Sequence, residues 1–442
     1  MKYSKITMSV LLAMGLQAHA HAADLLETYH TAQGQDAVFA SARAAQQAGQ
    51  EKRTQGRSML MPSVSLSANS TYYDNDIEYS GSSRQLSYTS SGVGVSLVQP
   101  LFRQQNWLAF TESELQVAIS EAQFRMAEQD LIVRVAQAYF DVLIAQDSVL
   151  LAETQKKAIS EQLEQARRNF EVGTATITDT YEAQARFDLT NAQLIASQSN
   201  LEIKRRSLQQ ITNAGAGELK PLGAGLKLEV PQPADVSKWV ADAQQGSLQV
   251  VIAQAGAELA EKEVARNRGG HYPTLDLVAN ISKSSANGGT FTGTGYGPAD
   301  TTSKSVGVQL NMPLFQGGAT QSKWREAEAN RDKAQQDMES ARRSVAVQVQ
   351  QAYLGVVNGI AQIQALQQAL KSNESLLASS KLGQSVGVRT SLDVLNAQQQ
   401  LFSTRRDLYQ AQYNYLISQL RLKAAAGNLA EADLVRVNQA LY

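Results

Sequence analysis

Two periodicities alternate along this chain, and each of them occurs twice. Val64, Leu66 and Ala68 alternate with Ser65, Ser67 and Asn69, and Val93, Val95 and Leu97 alternate with Gly94 and Ser96. Further on, Leu275, Leu277, Ala279 and Ile281 alternate with Asp276, Asn280 and Ser282, broken by Val278. Val306, Val308, Leu310 and Met312 alternate with Ser305, Gly307, Gln309 and Asn311. A period of two gives one apolar and one polar face, so these segments predict four strands in two pairs. Each has about the ~10 residues that cross a bilayer as a tilted barrel strand. The connections 74–85 and 287–303 are polar and rich in Gly, Ser and Asp, as the outward loops of membrane barrels are. Tyr72, Tyr73, Tyr79 and Tyr88 suit an interfacial aromatic girdle and ordinary sheet packing equally. A soluble sandwich with one wet face would show the same alternation. Four strands cannot close a membrane barrel, so the barrel reading requires several chains.

The helical period is stronger. From Gln104 to Phe170 there is neither proline nor glycine, enough for ~100 Å of helix. Ile132, Val135, Tyr139, Val142 and Val149 follow the spacing of a coiled-coil seam, repeated by Ala346, Val349, Tyr353, Val356 and Ile363. Each long helix reaches a glycine-containing turn, at Gly173 or Gly387, and a second helix returns, over 176–211 or 391–426. Shorter helices are expected over 25–57 and 236–268, ahead of each strand pair. A soluble helical bundle would account for the seams equally well, but not for the strands.

The chain is in fact written twice. Met61-Pro62-Ser63-Val64-Ser65-Leu66 returns as Tyr272-Pro273-Thr274-Leu275-Asp276-Leu277, and Val95-Ser96-Leu97-Val98-Gln99-Pro100-Leu101-Phe102 as Val308-Gln309-Leu310-Asn311-Met312-Pro313-Leu314-Phe315. Val172-Gly173-Thr174-Ala175-Thr176-Ile177-Thr178-Asp179 returns as Val386-Gly387-Val388-Arg389-Thr390-Ser391-Leu392-Asp393. Duplication at this scale implies two equivalent halves that share a core. The expected organisation is a signal peptide over 1–22, a first repeat over 23–214 with its strand pair at 63–101, and a linker over 215–235. A second repeat over 236–427, with its strand pair at 274–314, and a C-terminal segment over 428–442 complete it.

Residues 1–22 carry Lys2 and Lys5, the apolar run Ile6 to Leu16 and the small-x-small site Ala20-His21-Ala22, which predicts export. The apolar run is short for a spanning anchor, and no later apolar run is expected to span, so membrane insertion must use strands. Without the leader the balance is 38 basic to 41 acidic residues, which does not favour nucleic acid. Cysteine is absent, which removes disulfides and thiolate chemistry. Outside the leader the histidines are His30 and His271 alone, each read as a surface or packing residue rather than a metal ligand. With no Walker loop, nucleophile elbow or zinc spacing, no enzyme, metal or cofactor is expected.

Taken in order, the duplicated strand pair–helix–turn–helix plan, the Pro-Leu-Phe joints, Phe170-Glu171-Val172-Gly173, Ser385 to Asn396 and Tyr413-Asn414-Tyr415-Leu416-Ile417 resemble the TolC family of outer-membrane efflux and secretion channels. The resemblance covers essentially the whole exported chain. It implies a mixed α+β membrane protein: a homotrimer whose four strands per chain close a 12-stranded β-barrel in outer-membrane lipid, continued by a 12-helix coiled-coil periplasmic tunnel. It also implies an exit duct of a tripartite efflux pump or type I secretion system, partnered by a periplasmic adaptor and an inner-membrane ABC or proton-driven transporter. A periplasmic helical-hairpin adaptor and a structural coiled-coil protein are the alternatives.

The resemblance also implies site residues. The tips Val172, Gly173, Thr174, Val386, Gly387 and Val388 would dock the adaptor, although glycine also serves simply to end helices. Arg389 would form gate links with Thr178 and Asp179. Asp393 would ring the constriction, with Asn396 where a second aspartate ring can occur. A helix-start charge favoured by the macrodipole is the competing reading of Asp393, and its twin Asp179 shares it. Gln384 replaces an aromatic residue of some relatives, so the closing network is expected to differ.

Overall fold

The computed structural model describes residues 23–441 apart from 80, 216, 224 and 292–294. The leader over 1–22 and the side chain of Tyr79 lie outside the described residues. The elements run α1 (Leu25–Gln35), α2 (Ala37–Ser58), β1 (Ser63–Tyr79), β2 (Ser82–Phe102), α3 (Gln104–Glu171), α4 (Ile177–Thr212), α5 (Val236–Gly246) and α6 (Leu248–Arg268). After a 3-10 turn, Gly269–His271, come β3 (Thr274–Phe291), β4 (Tyr296–Asn311), α7 (Ala319–Ser385), α8 (Ser391–Ala425) and α9 (Glu431–Asn438). The chain divides into two compact units.

One unit comprises 41–127 and 240–348. Its sheet has the order β1-β2-β3-β4, antiparallel throughout. The β2–β3 pair, with Val95 opposite Ile281, joins the two repeats. The registers place Val64, Leu66, Val93, Val95, Ile281, Val306, Val308 and Leu310 on one face, and all of them are exposed. The opposite face carries Ser65, Ser96, Asn280 and Ser305. β1 and β4 are the edges, each with a single partner strand in the chain.

Two expectations for the strands are corrected. The segments 74–85 and 287–303 are largely strand rather than loop, because polar side chains keep pairing across the hairpin: Ser87 Oγ donates to Asp74 Oδ1 at 2.7 Å. The tyrosines do not share one girdle. Tyr73 and Tyr88 lie opposite each other, stacked at 5.0 Å, on the face away from the apolar one, while Tyr72 falls on the apolar face. Adjacent strand residues cannot point the same way.

Below the strands Arg103 clamps Asp276 of β3 bidentately, at 2.8 and 2.6 Å, so the entry to α3 is fixed to the sheet. Helix α2 approaches α3 very closely. A Cβ at Gly49 would stand 2.0 Å from Ser120 Oγ, and one at Gly56 would stand 2.1 Å from Ser113 Oγ.

The other unit comprises the described residues up to 40, with 128–239 and 349–441. Leu131, Val135, Tyr139, Phe140 and Val142 of α3 are fully buried, as are Val349, Val356 and Ile363 of α7 and Tyr413, Tyr415 and Leu420 of α8. The predicted seams thus lie largely in the core, although Val149, Ala346 and Tyr353 are only half-buried. Helix α3 does contain one stretch long and apolar enough to cross a membrane by composition alone, contrary to expectation, and half of it is buried within the protein. The expected helix over 25–57 is broken at Asp36. That carboxylate accepts from Phe39 N–H at 3.0 Å and from Arg134 at 2.7 Å, starting α2 afresh. The helix over 236–268 breaks at Ser247, between α5 and α6, without a side-chain cap. Around the helices lies a belt. Ala23 bridges Leu219 and Leu222 bridges Leu441, the Tyr139 hydroxyl donates to Ala23 O and Lys220 O, and Asp433 of α9 is held by Lys423 and Arg436.

Candidate functional site: the paired helix turns

The turns that join α3 to α4 and α7 to α8 are built alike. Gly173 (φ +77°) and Gly387 (φ +81°) adopt the left-handed conformation that residues with a Cβ resist. The carbonyl of Asn169 accepts from Thr174 N–H at 2.8 Å and Ala175 N–H at 3.2 Å. The Gly383 carbonyl accepts from Val388 at 2.9 Å and Arg389 at 3.2 Å. These bonds cap the carbonyls that an ending helix leaves free. Val172, Val386 and Val388 stand 72%, 65% and 76% exposed, so each tip presents valine methyl groups to solvent without a partner in its own chain. Thr174 is exposed beside them.

The returning helices start with twin capping boxes. Asp179 Oδ2 accepts from Thr176 N–H at 3.0 Å, and Thr176 Oγ1 accepts from Asp179 N–H at 3.3 Å. Thr390 and Asp393 repeat this at 2.9 and 3.1 Å. Backbone and hydroxyl bonds from Thr390, and then the nearby Arg389 charge, hold the Asp393 carboxyl below the usual carboxylate range. Asp393 is therefore ionised and serves as a helix start, the competing role read from sequence, with one oxygen engaged by the cap.

Arg389 Nη1 stands 3.7 Å from Asp393 Oδ1. Within one chain it is this carboxylate, rather than Thr178 or Asp179, that faces Arg389. Thr178 is exposed, and Asn396 is exposed one turn beyond Asp393. Two features escaped the sequence reading. Gly383 leaves the space that the Arg389 side chain fills, since a Cβ there would meet Arg389 Cγ at 2.6 Å. Arg186 of α4 donates to Asn396 and Gln399 of α8. A bulky neighbour gap and a contact over 210 residues leave no local pattern to read. Gln384 donates to Ser391 Oγ at 3.0 Å. Among the described residues no three His, Asp or Glu side chains converge on a metal-sized site.

An exported-looking chain with an open, apolar-faced sheet and two helical hairpins matches the family described as outer membrane efflux protein over residues 28–214 and 239–428. It is 33% identical to the outer membrane protein TolC of Escherichia coli K12 over 97% of this chain and 87% of TolC. It is also 33% identical to the alkaline protease secretion protein AprF of Pseudomonas aeruginosa, over 95% of this chain and 87% of AprF. Its fold matches that of the Campylobacter jejuni outer membrane channel CmeC with a TM-score of 0.80, at 15% identity, over 95% of this chain and 90% of that one. The chain belongs to the TolC-type outer membrane efflux protein family, a family of channels rather than enzymes. It is an outer-membrane exit channel, which sets aside the adaptor and the structural coiled coil.

Proposed function

We propose that three copies of this chain form the exit duct. The observation that carries this reading is the four-stranded sheet, with an uncovered apolar face and two edges, β1 and β4, unpaired in the chain. In lipid every strand edge must be paired, and three such sheets close into 12 strands without a free edge. The repeats over 23–214 and 236–427 then supply equivalent hairpins, twelve helices in all, as a periplasmic tunnel. The belt of α1, α9 and the linker would wrap its middle. Fractionation of cells, followed by mass determination in detergent, should find a trimer in the outer membrane; a soluble periplasmic monomer refutes the reading.

The exposed valines at Val172, Val386 and Val388 support adaptor docking at the tips, with an ABC or proton-driven transporter completing the system. The family described as outer membrane efflux protein and the alkaline protease secretion protein AprF supply the precedent for efflux and for protein secretion as the two uses of such a duct.

Gate links from Arg389 to Thr178 and Asp179 would run between chains, since within one chain Arg389 turns to Asp393. Each exposed pair contributes only about 0–1 kcal/mol, but threefold repetition biases the closed state. Arg389→Ser should raise single-channel conductance in planar bilayers, and Asp393→Ala should lower cation preference. Unchanged conductance and unchanged selectivity together would remove both assignments.

A further inference from the structure

Arg186 stands in α4 and reaches across to α8. Its Nη1 donates to Gln399 Oε1 at 2.8 Å and its Nη2 to Asn396 Oδ1 at 3.2 Å. Both acceptors are neutral amides, one helical turn apart, so the planar fork reads one face of α8. Of the neighbouring acids, Asp188 accepts from Gln184 at 3.0 Å, Asp179 and Asp393 cap their own helices, and Glu182, one turn before Arg186, makes no ion pair with it. The guanidinium, half-buried, thus keeps a full positive charge that no described carboxylate pairs. The internal repeat does not mirror this link. The twin of Arg186 is the neutral Gln400, and the twin of Asn396 is Glu182. The charge is therefore a property of this one helix pair and not of the capping architecture that both turns share.

We propose that Arg186 sets the charge selectivity of the duct's periplasmic end. It fixes a cation beside Asn396, one turn from Asp393, and so offsets the pull of the Asp393 carboxylate. The closed end then carries, beside the Arg389–Asp393 pair, one further positive charge per chain. It admits anionic solutes as readily as cationic ones and offers multivalent cations no purely acidic ring. Arg186 acts on permeating ions directly by its charge, while its two hydrogen bonds hold that charge in place. The proposal rests on the reading that Asp393 and Asn396 line the narrowest part of the trimer.

The purified full-length channel in planar bilayers, under a potassium chloride gradient, tests it through the reversal potential. Arg186→Gln should raise the potassium-over-chloride permeability ratio about 25-fold, because a unit charge a few ångströms from an ion in water shifts the permeability of each ion about fivefold and in opposite senses. Arg186→Lys keeps the charge and should keep the wild-type ratio, and so should the double variant Arg186→Gln with Asn396→Lys, which moves the charge to α8. A ratio unmoved by Arg186→Gln but moved by Asp393→Asn overturns the role of Arg186 and leaves the constriction reading standing. A ratio unmoved by either overturns both. Equal shifts with Gln and Lys assign the effect to lost packing and also overturn the proposal. Should Arg186→Gln fail to insert, Arg186→Met removes the same charge and gives the same decision: the ratio should rise as it does with Gln, and an unmoved ratio overturns the proposal.

Discussion

Replacing Gly49 and Gly56 by alanine should reverse the sign normally expected of such a change. In an exposed helix interior, glycine to alanine stabilises by about 1 kcal/mol. Here the new Cβ at position 49 would lie 2.5 Å from Ser120 Cβ, and that at 56 would lie 2.6 Å from Ser113 Cβ. Carbon atoms in contact rest about 3.5–4.0 Å apart, so α2 would have to retreat from α3 by roughly 1 Å. A hydroxyl can rotate aside, but a Cβ cannot. Overpacking of this kind costs about 1–3 kcal/mol per site, which outweighs the propensity gain. The pair Gly49→Ala and Gly56→Ala should therefore lower the unfolding midpoint in urea, measured by circular dichroism on the detergent-purified protein. Ser120→Gly should largely rescue Gly49→Ala, because the next neighbour, the backbone Cα of residue 120, lies at an ordinary 3.9 Å. Gly34→Ala is the control: its Cβ meets nothing within 4 Å, and it should stabilise slightly. If the double alanine variant is more stable than wild type, α2 and α3 are not in the contact described.

Two further outcomes follow from the helical unit. Gly387→Pro should abolish site-directed crosslinking of the tip to the adaptor while the protein still inserts as a trimer, because proline cannot adopt φ +81°; unchanged crosslinking would make the tip merely structural. Asp147 is half-buried, with the Tyr413 hydroxyl donating at 2.9 Å, and desolvation holds its carboxyl above the usual carboxylate range. Such a carboxyl takes up its proton more readily folded than unfolded. It therefore favours the fold fully below its ordinary pKa, and that support is lost as pH rises through the raised value. Asp147→Asn keeps an acceptor without the charge, so it should raise the melting temperature at pH 7 and flatten the dependence below it; a lower melting temperature at pH 7 contradicts this.

The sequence disclosed what repeats locally and withheld what meets at a distance. Alternation from Val64 to Ala68 and the seam from Ile132 to Val142 each follow a backbone period, so the strands and the long hairpins were legible. The breaks at Asp36 and Ser247 were not: at Asp36 a capping side chain competes with a helical pattern without erasing it, and at Ser247 no side-chain cap marks the break. The ends of the strands were hidden for a related reason: the polar pairs around Asp74 read as loop until a partner strand accepts them. The tip glycines were visible as twins, as were Asp179 and Asp393. The partners of the latter lie three residues away, so capping could be weighed from sequence. Arg186 with Asn396, and Asp147 with Tyr413, join positions separated by 210 and 266 residues, and no local spacing announces them.

The pairing of β2 with β3 has a bearing on symmetry. Because it stitches the two repeats into one sheet, the chain already contains, covalently, what would otherwise be a contact between two molecules. An ancestor with one hairpin of strands per chain would need six identical copies to reach the twelve strands proposed for the trimer, and every residue facing the pore would then appear six times. Fusion halves that multiplicity and frees the two halves to diverge. One position can be arginine while its counterpart stays glutamine, as at 186 and 400. A sixfold ring can only be all of one charge; a threefold ring of fused pairs can alternate signs around its circumference.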